Sequence, residues 1–476
     1  MASMPALALF AAGASVSFLF MRWGPGLTHD SLVYLGAARH LFQGLGYTFP
    51  AQGTASPLTF YPPFYPVMLS VLMFLKPDPL FAAQVLNAAL YGTGAALVFF
   101  LLLRCSGRRA YALFGALAVW GQRDLFFIHS MAWSEPLFFL FCLLQIYFIA
   151  RYLGTRRRQD LWLAAASAAL GCLTRYLGAS LALAGAAAIA LMGRDTPRGR
   201  IKDAFSFVFP ALLPAALFMT WNAGVAGDWS GRQLAFHFPG ATSWAIAGRA
   251  AAGWILPLAW LAWAGWIAVI VRGRGTADRP GFAAYAAAVC AIACVVYAAV
   301  LFSAATLFDA NTPLDERTLA PIYLFGALGF FCYASTRANA VLFAVLLAIS
   351  QTTVAAHWAV GNRSDGFGYA SRAWRESKLM DRVRALPDGV KIYANLPEAV
   401  YFFTGRAAVP LPYRFFPSRA AVNPGYRAEL RRVAEESAAG KAVVIYFDAG
   451  RARAFMPSAE ELETSLGCAL TLRESA

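Results

Sequence analysis

Residues 95–120 read AALVFFLLLRCSGRRAYALFGALAVW, two apolar runs divided by Arg104, Arg108 and Arg109. The first run reaches back to Leu80 without a charge, and the second continues without one to Gln122. About 20 apolar residues cross the hydrocarbon core of a bilayer, and arginines at a turn stay among the headgroups. A helical hairpin through a membrane therefore satisfies both runs, whereas a soluble fold would have to hide them.

The same alternation fills most of the chain. It predicts an α-helical polytopic membrane protein with about eleven spans, at roughly 5–22, 80–103, 110–127, 134–150, 161–175, 177–192, 203–222, 248–271, 281–303, 318–335 and 340–358. The fifth and sixth are short enough to be one broken hairpin. Composition agrees: 59% of the 476 residues are hydrophobic and 14% are charged, against roughly 25% charged in soluble domains. The N-terminal stretch Pro5–Phe20 lacks a basic region before it, so it reads as a retained first span rather than a cleaved signal.

A net charge of +15 raises the question of nucleic acid. The arginines form short clusters between spans, with no basic stripe interleaved with aromatics, so nucleic acid is excluded as a partner and the lipid bilayer is the expected one. One set of alternate loops holds 15 basic residues, including Arg104, Arg108, Arg109, Arg151, Arg156–Arg158 and Arg194–Lys202. The opposite loops hold five, namely Arg39, Lys76, Arg123, Arg232 and Arg317. Positive charge marks the cytoplasmic side. The first loop, 23–79, and the tail from 359 are therefore expected outside, in a composition compatible with a bacterial inner membrane.

Two domains follow: a membrane domain, 1–358, and an extracytoplasmic α/β domain, 359–476. In the first loop, Ser31–Phe42 has helical apolar spacing with Arg39 and His40 on its polar side, so a helix along the interface is expected. Residues 64–75 are too few to span and read as a second interfacial or re-entrant helix. In the tail, 390–395, 407–411, 442–447 and 469–473 read as strands, and 398–404, 424–437 and 457–466 as helices. The seven cysteines do not form a disulfide framework, and Cys290 and Cys294 read as packing residues.

Asp30 is the most informative residue. It follows the first span, where the chain leaves the bilayer and a lipid-borne headgroup would lie. A carboxylate flanked by apolar surface there, with a raised pKa, suits a general base for an acceptor hydroxyl or amine. Asp is also a good N-cap, and a cap for the helix beginning at Ser31 stays open as the alternative.

The order Asp30–Tyr34–Ala37–Leu41–Gly44–Gly46–Tyr47, then Tyr61-Pro62-Pro63-Phe64-Tyr65-Pro66, resembles the first outer loop of C-type membrane glycosyltransferases. The similarity is to the protein O-mannosyltransferase and lipid A aminoarabinose transferase superfamily. Ser134-Glu135-Pro136-Leu137-Phe138, Leu173-Thr174-Arg175-Tyr176 and Asp315-Glu316-Arg317 fall in the same order as that family's pieces. The resemblance implies a GT-C-like fold, a polyprenyl-phosphate sugar donor and inverting transfer to a lipid, glycan or protein outside the cytoplasm. It implies Asp30 as the catalytic base and Tyr34 in the binding loop. Arg175 and Arg317, at outer ends of spans, suit clamping of phosphate oxygens; interfacial snorkelling, or pairing of Arg317 with Asp315 or Glu316, is the plainer alternative. His29, Tyr61 and Glu135 complete the candidate substrate-binding set, with a plain interfacial role open for each. No acid occurs between Asp30 and Asp78. Metal-independent transfer without a cofactor is therefore expected, with a divalent cation left open.

Three other functions fit the same outline: a transporter or flippase of a lipid-linked molecule, an outer-face glycan polymerase or ligase, and an envelope scaffold. A transporter should show internal repeats and acids near mid-membrane. The chain shows no clear repeat, and its conspicuous acids lie in outer loops.

Overall fold

A computed structural model describes residues 3–51, 54–193, 196–227, 229–230, 236–254, 281–308, 312–335, 337, 339–416, 421–447 and 455–469. Among these, six helices are long and apolar enough to cross a membrane: Pro79–Ser106, Glu135–Thr155, Pro197–Ala226, Phe282–Leu307, Glu316–Ala334 and Ala340–Asn362. Three shorter apolar segments, Met4–Phe20, Arg109–Trp120 and Tyr176–Met192, pack among them. The expected span 248–271 falls mostly outside the described residues, which include only the helix Ala241–Ala252 at its start.

Sequence chemistry sets the breaks. The span expected at 110–127 is two helices, because Gly121 ends Arg109–Trp120 and the Gln122 side chain caps a new helix, Arg123–His129, by accepting from the Asp124 and Leu125 amides. The hairpin expected at 161–192 is two helices, Arg158–Thr174 and Ala179–Met192, joined by the 3-10 turn Tyr176–Gly178. Arg175 has extended backbone at this break, so its side chain leaves the tip of the hairpin. The N-terminal helix Ser3–Phe20 lies against Pro79–Ser106 where small residues face each other: a Cβ on Gly13 would sit 3.2 Å from the Gly92 Cα.

The first loop departs from expectation. Its helix starts earlier, at His29–Phe42, and is covered by other parts of the chain, with residues from Ser31 to Ala38 buried. His40 is not on a polar outer side. It is 5% exposed, with Nδ1 2.9 Å from Thr48 Oγ1 and Nε2 3.3 Å from Tyr401 OH. The reason is tertiary: the antiparallel pair Thr48–Ala51 and Thr54–Pro57, and the helix Pro397–Thr404 of the tail, cover the side that the sequence leaves polar. The segment 64–75 is a short helix, Phe64–Leu72, with Val67, Val71, Phe74 and Leu75 exposed.

In the tail, Lys391–Ala394 is the central strand of a parallel three-stranded sheet, flanked by Val409–Pro410 and Ala442–Ile445. Helices Pro397–Thr404, Tyr426–Ala438 and Ala459–Leu466 complete this α/β unit. The strand expected at 469–473 lies, but for Ala469, outside the described residues.

One seam ties the first loop, the turn before Glu135 and the tail together. Gly26 N–H donates to Ser130 O at 2.8 Å, Ala132 N–H to Gly26 O at 2.8 Å, and Tyr369 N–H to Leu27 O at 2.9 Å. The exit of the first helix is thus held between the turn before Glu135 and the start of the tail. Gly368 makes this possible. It has φ +56°, and a Cβ there would meet Leu27 O at 1.9 Å. Gly368→Ala is expected to destabilise the protein by about 2 kcal/mol or more through left-handed strain and loss of the seam. Thermal unfolding in detergent checks this, and an unchanged midpoint would contradict it.

Candidate functional site

Beside this seam the starts of three helices meet, and each carries a charged residue in its first two positions. Asp30 is the second residue of His29–Phe42. The cap of that helix is Thr28, not Asp30: Thr28 N–H donates to Ser31 Oγ at 3.0 Å, and the two hydroxyls lie 3.2 Å apart. The Asp30 carboxylate is free for other work. Arg317 is likewise the second residue of Glu316–Ala334, whose cap is Asp315; Asp315 accepts from the Arg317 and Thr318 amides at 3.1 and 3.0 Å. The Arg317 side chain therefore pairs with neither Asp315 nor Glu316.

It reaches across the site instead. Arg317 Nη1 donates to Asp30 Oδ2 at 2.6 Å, and Nε and Nη2 donate to Glu135, the latter at 3.4 Å to Oε2. Glu135 opens the helix Glu135–Thr155 and also pairs with Arg175, which donates to Ser134 Oγ at 3.2 Å. Two carboxylates and two guanidinium groups so form one self-neutralised set. Arg317 lies over the Trp133 ring at 4.3 Å, a cation–π contact that favours the charged form in this partly dry setting. Trp133 is itself held by a 2.8 Å bond from Nε1 to Thr28 Oγ1.

Exposure separates the members. The Glu135 side chain is 2% exposed and the two arginines 13% and 15%, but Asp30 is 28% exposed. Asp30 is the open end of the set. The raised pKa expected for it is not found. Burial pushes its carboxyl up, but Arg317, His29 and the Tyr61 hydrogen bond together hold it well below the ordinary carboxylate range. The resting Asp30 is an ionised, arginine-bound group.

Tyrosines frame the set. Tyr61 OH donates to Asp30 Oδ1 at 2.6 Å, and Tyr34 OH lies 3.3 Å from Ser134 Oγ. The Tyr34 ring meets Tyr61 and Tyr65 edge-on, with centroids 5.0 and 5.3 Å apart. Burial first, then the nearby Asp30 charge, pushes the Tyr34 hydroxyl up to about 12 and Tyr61 well above 10, so both stay protonated donors.

Six of the seven predicted residues therefore meet: Asp30, Tyr34, Tyr61, Glu135, Arg175 and Arg317. His29 bears on Asp30 by its charge, but its Nδ1 pairs outside the ionic set, 3.1 Å from Glu398 Oε1 on the tail helix Pro397–Thr404. Glu398 was missed, because nothing local in sequence relates it to position 29. Trp133 was legible in sequence as an interfacial aromatic and Ser134 as part of Ser134-Glu135-Pro136, but not their bonds to Thr28, Tyr34 and Arg175. A separate open cleft of about 500 Å³ lies in the tail, lined by Lys391, Tyr393, Tyr413, Asn423, Glu429 and Arg432 among others, and contains none of the predicted site residues.

No family model matches the chain, and no curated protein matches it in sequence. Solved structures similar in fold include two of the same protein. ArnT from Cupriavidus metallidurans bound to undecaprenyl phosphate shares 13% identity, with 85% of each chain covered and a TM-score of 0.56. The same protein in the apo state shares 14% identity, covering 90% of this chain and 91% of that one, with a TM-score of 0.53. ArnT, the lipid A aminoarabinose transferase, is a GT-C membrane glycosyltransferase. The chain accordingly has a mostly helical membrane fold similar to that of the GT-C glycosyltransferases.

Proposed function

We propose that the chain is an inverting glycosyltransferase that moves a sugar from a polyprenyl-phosphate donor to a lipid, glycan or protein acceptor on the extracytoplasmic face. The observation that carries this reading is the self-neutralised set of Asp30, Arg317, Glu135 and Arg175, with Asp30 open, in a fold similar to one solved with undecaprenyl phosphate. The eleven-span topology, the outer placement of the α/β unit in a bacterial inner membrane, and metal-independent transfer belong to the same proposal.

Charge balance gives the sequence of events. A phosphodiester brings a negative charge to a neutral set, so a carboxylate has to give way. Glu135 is buried and held by both arginines; Asp30 is open and held by one. Displacing Asp30 is cheaper, because its charge can be rehydrated. Arg175 and Arg317 then clamp the phosphate oxygens. Relieved of Arg317, Asp30 returns towards ordinary carboxylate basicity, and Tyr61 keeps it oriented.

The acceptor hydroxyl or amine attacks the sugar carbon from the face opposite the phosphate, and its proton passes to Asp30. The bond from that carbon to the phosphate oxygen breaks, and the lipid phosphate leaves with the electron pair. Its added charge falls on the two arginines, which are already in place. Donor binding thus switches the base on, and a resting enzyme without donor keeps it off.

The test is transfer by purified protein from a synthetic polyprenyl-phosphate sugar, read by mass spectrometry of the acceptor. Arg317→Gln is expected to weaken donor binding by about tenfold or more, through loss of a charge-assisted clamp. Proteoliposomes that move the lipid-linked sugar across the bilayer with no bond exchanged would instead establish a transporter.

A further inference from the structure

One polar group beside the ionic set has no hydrogen-bond partner among the described residues. Tyr65 is fully buried, and its hydroxyl is unpaired. This is not how the chain treats its other sealed tyrosines. Tyr111 donates to Phe331 O, Tyr152 to the Asp203 carboxylate and Tyr297 to Thr318 O. A buried hydroxyl without a bond bears its whole desolvation cost, and such a group in a folded protein calls for a reason.

Its position supplies one. Tyr65 is the second residue of the short helix Phe64–Leu72, started by Pro62-Pro63, and its ring abuts Tyr34. Glu135 is near enough for its charge to bear on the Tyr65 hydroxyl. Glu135 is unevenly served. Its Oε1 takes Arg317 Nε and Arg175 Nη1, while Oε2 has only the 3.4 Å contact with Arg317 Nη2. If Arg317 offers Nη1 and Nη2 to a phosphate while Nε stays on Glu135 Oε1, Oε2 loses even that, on a side chain only 2% exposed.

We propose that Tyr65 is a positioning residue held in reserve: when the donor phosphate takes Nη2 of Arg317, the Tyr65 hydroxyl donates to Glu135 Oε2 and keeps that carboxylate in place to hold Arg175. This rests on the reading of the arginines as the donor-phosphate clamp. The resting protein carries the unpaired hydroxyl, and the donor-bound protein uses it.

The experiment compares full-length wild type with Tyr65→Phe, in detergent, by thermal unfolding with and without undecaprenyl phosphate and by transfer kinetics. Tyr65→Phe keeps the ring and removes only the unpaired group. Its midpoint without ligand should be equal to or above wild type, its affinity for undecaprenyl phosphate about tenfold weaker, and its donor KM raised with kcat kept within about twofold. Tyr34→Phe serves as contrast: its hydroxyl is already paired with Ser134, so its ligand-free midpoint should fall. A lower ligand-free midpoint for Tyr65→Phe would show the hydroxyl satisfied at rest and overturn the proposal, as would unchanged affinity in the presence of wild-type binding. Wild type that is not stabilised by undecaprenyl phosphate would defeat the clamp reading itself, and this inference with it.

Discussion

Glu135→Ala is expected to lower the stability of the protein by about 3–5 kcal/mol, the cost of removing one partner from a buried ion set. Glu135 is 2% exposed and is the only carboxylate paired with both Arg175 and Arg317 among the described residues. Without it, Arg175 keeps only Ser134 as a side-chain partner there, Arg317 keeps Asp30, and two guanidinium groups face each other in a dry setting. Glu135→Gln, which keeps the shape, should lose less, and adding Arg175→Met to it should recover part of the loss by removing the unpaired charge. Thermal or denaturant unfolding in detergent reads all three. A loss under about 1 kcal/mol for Glu135→Ala would mean that water, not this carboxylate, neutralises the arginines.

The second large effect is on rate. Asp30→Asn should cut transfer by about 10²–10⁴, the usual contribution of a positioned base. Donor binding should be retained or tightened, because Asp30 competes with phosphate for Arg317. Loss of turnover with donor bound separates a base from a scaffold; full activity would remove Asp30 from the chemistry. The pH dependence has a defined sign. The folded carboxyl lies below its unfolded value, so its stabilisation is complete above the unfolded pKa, near 4, and is lost as pH falls through the lower folded value. The stability gap between wild type and Asp30→Asn, measured without donor, should not narrow from about pH 8 to pH 5 and should narrow only below about pH 4. A gap that closes between pH 7 and pH 5 would contradict the Arg317-bound resting state.

The displaced expectations share a cause. A carboxylate beside apolar sequence reads as a raised pKa, because its desolvation is visible locally while its counter-charge, Arg317, is 287 positions away. His40 reads as exposed for the same reason: the β-pair and Tyr401 that cover it are not its helical neighbours. Asp30 and Thr28 are both good caps, and the choice between them depended on whether the Asp30 side chain had a better partner elsewhere.

The amino-acid order by itself determined that this chain is a multi-pass helical membrane protein, with most apolar helices and three strands of the tail near their observed places. Long uncharged runs and arginine-marked turns act through local composition, and a bilayer responds to local composition. It also singled out Asp30, Glu135, Arg175 and Arg317, through charges placed at span ends and the resemblance to membrane glycosyltransferases. Only the tertiary structure decided that these four neutralise one another, that Asp30 is the exposed member, and that His29 belongs to Glu398 instead. Coulomb and hydrogen-bond energies fall off within a few ångströms in space and are blind to separation along the chain, so partners hundreds of residues apart become visible only once the helices are packed.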